Sequence, residues 1–218
     1  MMESNYTFIF GIVLAYLFGA IPTSVWLGKL FYKTDIREHG SGNAGGTNTV
    51  RILGWKAGIP VIIFDIFKGW FAVYFLAGLF KEPAFLQGDY FLLSFGLAAV
   101  IGHVYPVYVG FKGGKGVATL AGVGLFFFPL ALLSAAAVFL LVAIPTRYVS
   151  LSSIIAAISF PLILIFVFKE TSVPILILGF FASILVIFTH RKNIGRLLHG
   201  KENKFVVKQG THKNKNTI

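Results

Sequence analysis

The sequence predicts an all-α polytopic integral membrane protein, and three observations carry that prediction. Of the 218 residues, 56% are hydrophobic and 12% charged, against roughly 45–50% and 25% in soluble domains. The apolar residues, 24 phenylalanines among them, fall in runs near the roughly 20 residues that a helix needs to cross a bilayer. The basic residues cluster in alternate links between those runs. One membrane domain is expected over residues 1–202, followed by a basic cytoplasmic tail at 203–218.

The first run covers 6–30. The residues before it carry only Glu3 and lack the basic start of a secretory signal, so it is expected to be retained as a span. Further runs cover 57–80, 90–109, 150–168 and, somewhat shorter, 173–188. The stretch 117–144 is long enough for one tilted helix, yet Pro129 lies near its middle, where a proline removes a hydrogen bond and breaks or kinks the helix.

Charge decides between one crossing and two. The link 33–56 holds Lys33, Arg37, Arg51 and Lys56; the link 110–116 holds Lys112 and Lys115; and the C-terminal segment opens with Arg191, Lys192 and Arg196. The positive-inside rule puts all three in the cytoplasm. The links at Lys81-Glu82 to Asp89 and at Lys169-Glu170 carry no positive excess and suit the opposite face. A single crossing over 117–144 would send the basic C-terminal segment outside. Two short helices around Pro129 restore agreement. The expectation is therefore about seven transmembrane helices, N-terminus outside and C-terminus cytoplasmic.

The chain has no cysteine, which removes disulfides, iron–sulfur clusters and thiolate zinc sites. The net charge of +11 does not point to nucleic acid, because the basic residues lie beside apolar runs and lack aromatic interleaving. An anionic leaflet or an anionic small substrate fits better.

Three polar motifs fall on the basic face. Gly40-Ser41-Gly42-Asn43-Ala44-Gly45-Gly46-Thr47-Asn48-Thr49-Val50-Arg51 contains G-x-G-x-x-G, but membrane helices flank it where a dinucleotide site needs a strand and a crossover helix. What it keeps is the physics of phosphate loops. Glycines let backbone N–H groups converge, Ser41, Asn43, Thr47 and Asn48 add uncharged donors, and Arg51 can grip two phosphate oxygens at once. The competing account is a flexible turn with helix caps.

The second motif runs from Gly102-His103 through Tyr105-Pro106 to Phe111-Lys112-Gly113-Gly114-Lys115-Gly116. Its spacing is not that of a Walker loop, yet two lysines among glycines opening into a helix make an anion site. A basic turn held at lipid headgroups is the plainer alternative. The third motif, His190-Arg191-Lys192-Asn193-Ile194-Gly195-Arg196, closes the last span and continues to Glu202. On a helix His190, Asn193 and Arg196 share a face, whereas Arg191 and Lys192 need do no more than stop the span at the interface. Inside the second span Asp65 and Lys68 stand at i, i+3, a spacing that favours a structural ion pair.

Taken together, S-G-N-x-G-x-T-N-x-x-R, G-H-x-x-P with F-K-G-G-K-G-V-A-T, and H-R-x-N-I-x-R-L-x-x-G-x-E resemble the acyl-phosphate-dependent glycerol-3-phosphate acyltransferases of bacteria, over residues 6 to 202. The resemblance implies transfer of a fatty acyl group from acyl phosphate to the 1-hydroxyl of glycerol 3-phosphate on the cytoplasmic side of the bacterial plasma membrane. It gives lysophosphatidic acid and phosphate; separately from the resemblance, no cofactor is expected and the chain is expected to be a monomer. On that basis Ser41, Asn43, Thr47, Asn48 and Arg51 would help hold one phosphate, and Lys112, Gly113, Gly114, Lys115 and Gly116 another. His190 and Asn193 match residues tied to glycerol 3-phosphate binding and alignment. Glu202 matches an acidic position organising the third motif, and Ser153, with Ser150 and Ser152 beside it, adds a further donor.

Phosphate is already a good leaving group, so the enzyme needs mainly to position and stabilise charge. His190 and the substrate's own phosphate both stand as the general base. A transporter of organic phosphates is the rival from another class, since basic links and intramembrane charge also suit anion translocation. A non-enzymatic lipid-binding protein would not need three phosphate-like loops.

Overall fold

The computed structural model describes residues 2–205, with side chains from residue 5 onward. The described residues form α-helices and no strand: α1 Met2–Gly19, α2 Thr23–Tyr32, α3 Gly46–Leu53, α4 Trp55–Phe71, α5 Asp89–Val104, α6 Val117–Phe127, α7 Pro129–Thr146, α8 Val149–Leu162, α9 Val173–Thr189 and α10 Arg191–Leu198. Single π-helical turns extend α4 and α8, at Ala72–Leu76 and Ile163–Val167. Four helices are long and apolar enough to cross a bilayer alone, and there are up to six candidate spans if each bent pair, α1–α2 and α9–α10, counts as one.

Three expectations change. The run 6–30 is not one straight helix: it breaks before Pro22 and bends by 41°. The Ile21 carbonyl at the break accepts a hydrogen bond from Lys68 Nζ at 3.0 Å, so this backbone acceptor does not go unpaired inside the membrane. The break at Pro129 is present, but only one of the two helices is short. Pro129 takes the first position of α7, where its missing N–H costs nothing, and α7 runs 18 residues. α6, with 11 residues, reaches only about 16 Å into a hydrocarbon layer of about 30 Å. The third motif is not one continuous helix either, because the chain turns by 61° between α9 and α10.

Small residues set how the helices meet. A side chain at Gly122 would strike the Ile66 carbonyl, and one at Gly69 the Thr119 carbonyl, so α4 and α6 pack backbone to backbone, as membrane helices do where small residues allow it. Gly19 against Ala99 and Gly102 against Tyr16 bring α1 onto α5 in the same way. Between these pairs lies a core that includes Leu93, Val100, Leu120, Val123, Ile154, Leu178 and Val186. Asp65 and Lys68 are buried and paired at 2.8 Å, and Lys68 Nζ also lies 3.2 Å from His103 Nδ1.

This packing gathers the basic links at one end of the bundle. Arg37 Nη1 in the first link donates to the Val109 carbonyl at the second. Thr189 Oγ1 at the end of α9 donates to the Lys115 carbonyl. The N–H of Phe205 donates to the carbonyl of Arg147, which precedes α8.

Candidate active site

A cavity of about 490 Å³ opens among the converged links and runs down between α4, α6, α7, α8 and α9. The helix period organises its wall. Along α9 the lining residues are Leu178, Ala182 and Val186, ending at His190; along α8 they are Val149, Ser150, Ser153, Ala156, Ala157 and Phe160. Polar side chains therefore stand at the mouth and apolar ones below. Ser150 to Phe160 is about 15 Å of helix at 1.5 Å per residue.

At the mouth a chain of hydrogen bonds joins the second and third motifs. Lys115 Nζ donates to Asn193 Oδ1 at 2.6 Å, and Asn193 Nδ2 donates to Glu202 Oε1 at 2.6 Å. The same carboxylate accepts from Ser150 Oγ at 2.9 Å and from Arg196 Nε at 2.6 Å. Burial alone would raise the Glu202 pKa, but the hydrogen bonds from Arg196, Asn193 and Ser150 outweigh it and hold the group below its ordinary value. Lys115 is shifted down to about 8, chiefly by burial and further by Arg196 and Arg51, with Glu202 opposing.

Arg51 comes to the cavity from the far end of α3. Its Nε is buried and has no hydrogen-bond partner. Burial depresses its pKa, with Glu202 acting to raise it; a guanidinium stays charged regardless. Gly45, Gly46 and Thr47, at the start of α3, line the same wall with Ser41 and Asn43, where the first N–H groups of a helix lack intrahelical acceptors and favour an anion.

His190 is buried just past α9. Its Nδ1 lies 2.8 Å from the Val186 carbonyl, which can only accept, so Nδ1 carries the proton and Nε2 offers a lone pair. Burial, and then the charge of Lys115, push its pKa down to about 4, so the ring is neutral near pH 7.

Of the residues expected to act, Ser41, Asn43, Thr47, Arg51, Lys115, Gly116, Ser153, His190, Asn193 and Glu202 line the cavity. Asn48 does too, but its amide is occupied: it donates to the Ile36 and His39 carbonyls and accepts from the Ser41 N–H. It shapes the first loop instead of offering donors to a ligand. Gly113 and Gly114 do not line the cavity. Their N–H groups bond to the Val104 and His103 carbonyls, and their backbone packs on His103 with no room for a side chain. Lys112 is exposed and does not line the cavity. Asp65, His103 and Asn203 do line it. For Asp65 and His103 the signal was a charged or titratable side chain within an apolar span.

The glycerol-3-phosphate acyltransferase family model matches residues 9–200. A glycerol-3-phosphate acyltransferase of Chlorobaculum tepidum is 46% identical, over 91% of this chain and 96% of its own length. One of Fusobacterium nucleatum is 44% identical over 89% and 96%. Two crystal structures of PlsY, an integral membrane glycerol 3-phosphate acyltransferase, superpose with TM-scores of 0.79 for the glycerol 3-phosphate form and 0.77 for the lysophosphatidic acid form. They are 40% and 39% identical, covering 91% and 92% of this chain and 96% of each of theirs. With the match spanning nearly all of the helical bundle, the first two polar motifs and the third as far as Gly200, this chain belongs to the glycerol-3-phosphate acyltransferase family.

Proposed function

We propose that this chain transfers a fatty acyl group from acyl phosphate to the 1-hydroxyl of sn-glycerol 3-phosphate. The products are lysophosphatidic acid and inorganic phosphate, in the first step of phospholipid synthesis. The supporting observation is the division of one cavity into a cationic mouth, with Arg51 and Lys115, and an apolar channel that extends about 10 Å along α8 from Ser153 to Phe160. A donor carrying an acyl chain and a phosphate fits it along its length. The acyltransferase family leaves the organic-phosphate transporter without support.

The unpartnered Nε of Arg51 and the start of α3 hold one phosphate together with Ser41, Asn43 and Thr47. Lys115, held by Asn193, holds the other. The hydroxyl of glycerol 3-phosphate is received by the bare Nε2 of His190, which orients it toward the acyl carbon. A ring with its pKa near 4 is a poor base near pH 7, so the proton passes to a substrate phosphate. The new C–O bond forms as the acyl–phosphate C–O bond breaks. The cationic groups take up charge developing on the leaving phosphate. Ser150 and Ser153 donate to Glu202 and to the Val149 carbonyl, so neither hydroxyl is presented to His190 as an acyl acceptor.

The site lies at the cytoplasmic face of the bacterial inner membrane, in a monomer with seven membrane segments. The placement at the cytoplasmic face is supported by the gathering of the basic links at one end. The natural absence of cysteine makes the topology directly testable. A single cysteine at Lys112 should be labelled by an impermeant maleimide only in inverted vesicles, and one at Glu170 only in right-side-out ones.

The activity is tested with protein in lipid nanodiscs and radiolabelled glycerol 3-phosphate, offering acyl phosphate, acyl-CoA and acyl carrier protein in parallel. Labelled lysophosphatidic acid from acyl phosphate alone, lost in Asn193→Ala, is the expected result. Product from acyl-CoA alone would replace the donor, and no labelled lipid with any donor would overturn the reading.

A further inference from the structure

After α10 the chain passes through Gly200, with φ 65°, into a segment without regular structure over 201–205. A charged side chain on such a segment has many places to go, and solvent is the easiest. Glu202 nevertheless turns inward, with Ser150, Asn193 and Arg196 all donating to it. The end of the described chain explains the geometry. Phe205 donates its N–H to the Arg147 carbonyl at 2.7 Å, and its ring meets Trp55 edge to face at 5.6 Å. Beside it, Lys204 Nζ lies 5.8 Å from the Tyr148 ring. These anchors stand on different parts of the bundle: Trp55 opens α4, one residue past the Gly54 that ends the Arg51 helix, and Arg147 leads into the Ser150 helix.

We infer that Phe205 is a positioning residue of the acyltransferase site: by clamping the 201–205 strap between Trp55 and the Arg147 carbonyl, it holds the Glu202 carboxylate where Asn193 can present its oxygen to Lys115. The inference rests on the function proposed above. The strap closes a ring around the phosphate end of the cavity, and Phe205 is its lock. Released from that lock, Glu202 exchanges buried partners for water. Asn193 then loses the acceptor that orients its amide, and Lys115 loses the nearby negative charge that favours its protonated form.

The charged and titratable groups around Lys115 are Arg51 from α3, Asp65 from α4, His103 from α5, His190 from the end of α9, Arg196 from α10 and Glu202 from the strap. Asp65 is paired with Lys68, so Glu202 is the carboxylate that the strap controls.

The test compares the full-length wild type, Phe205→Ala, Phe205→Tyr, Glu202→Gln and Phe205→Ala/Glu202→Gln in nanodiscs, following kcat and KM for glycerol 3-phosphate across pH. Phe205→Ala should raise KM about tenfold, the consequence of losing roughly one oriented charge-assisted hydrogen bond. It should also move the alkaline limb of kcat/KM to lower pH, as Glu202→Gln does, while Phe205→Tyr stays near wild type. In the Glu202→Gln background the loss of the ring should add little further. A wild-type KM and pH profile for Phe205→Ala would overturn the inference, as would a full, additive loss in the double variant, since that would mean Phe205 acts without Glu202. Wild type is the internal control: if it forms no lysophosphatidic acid, the proposed function fails, whereas an active wild type indifferent to Phe205 leaves that function standing.

Discussion

Asn193 lies between two opposite charges, accepting a hydrogen bond from Lys115 and donating one to Glu202, both at 2.6 Å. An amide does both from two separate atoms, an acceptor oxygen and a donor nitrogen. Its orientation is fixed by its neighbours, because only the oxygen can face the ammonium and only the nitrogen the carboxylate. Asn193→Asp should therefore be nearly as damaging as Asn193→Ala, since it sets a second carboxylate against Glu202. Each should lower kcat/KM about 10- to 100-fold, the equivalent of roughly 1.5–3 kcal/mol. A double-mutant cycle of Asn193→Ala with Glu202→Gln should show non-additivity of about 1 kcal/mol or more; strict additivity in acyl-transfer assays would refute the relay.

Arg51 presents a buried Nε with no protein partner, a cost a folded chain retains where a ligand supplies the acceptor. Arg51→Lys keeps the charge but loses the planar fork. It should raise KM for a phosphate substrate about tenfold or more, by roughly the 1.5–3 kcal/mol of a charge-assisted hydrogen bond. Thermal stability in detergent should be unchanged or slightly higher. Equal kinetics for Lys and Arg at 51 would show that the fork is not used.

The pH profile follows from two groups with opposite consequences. The folded protein holds Lys115 at about 8, so its charge is present below that pH and is lost as pH rises through it. kcat/KM should show an alkaline limb near pH 8, and Lys115→Arg should displace that limb upward. His190, at about 4, is already neutral across the working range. The acid limb should instead follow the second ionisation of the phosphate substrate, about 6. His190→Gln should leave that limb in place while lowering kcat about tenfold through lost orientation; a shifted acid limb would make the histidine the base.

Asp65 and Lys68 are buried together within the bundle. Removing one partner leaves an uncompensated charge there, typically a loss of about 3–5 kcal/mol. Lys68→Met should lower the thermal midpoint in detergent sharply, and Asp65→Asn/Lys68→Met should recover much of it. No recovery in the double variant would mean that the hydrogen bond from Lys68 to the Ile21 carbonyl matters more than the ion pair.

The α4–α6 contact leaves no volume at Gly122, where a side chain would meet the Ile66 carbonyl. Gly122→Leu should therefore destabilise the bundle by several kcal/mol, as overpacking that backbone cannot absorb. Gly78→Leu, with nothing around it within contact distance, should be tolerated. Detergent melting of the two variants distinguishes a packing glycine from an incidental one.

The sequence alone determined the solvent of this fold, the approximate extents of most apolar segments, the break at Pro129 and the polar motifs that carry the family resemblance. These are local properties: hydropathy and charge are carried residue by residue, and a proline interrupts its own helix whatever surrounds it. The tertiary structure decided which of those polar groups face the cavity. Asn48, Gly113 and Gly114 belong to phosphate-like motifs, yet their hydrogen bonds close on the chain itself. Arg51, some 140 residues from Asn193 in sequence, lines the same cavity. The bend that left the Ile21 carbonyl for Lys68, and the strap that turns Glu202 inward, were equally invisible. Their physical cause is non-local: backbone contacts at Gly19, Gly69, Gly102 and Gly122 set how the helices approach, and only then does each buried donor meet its acceptor.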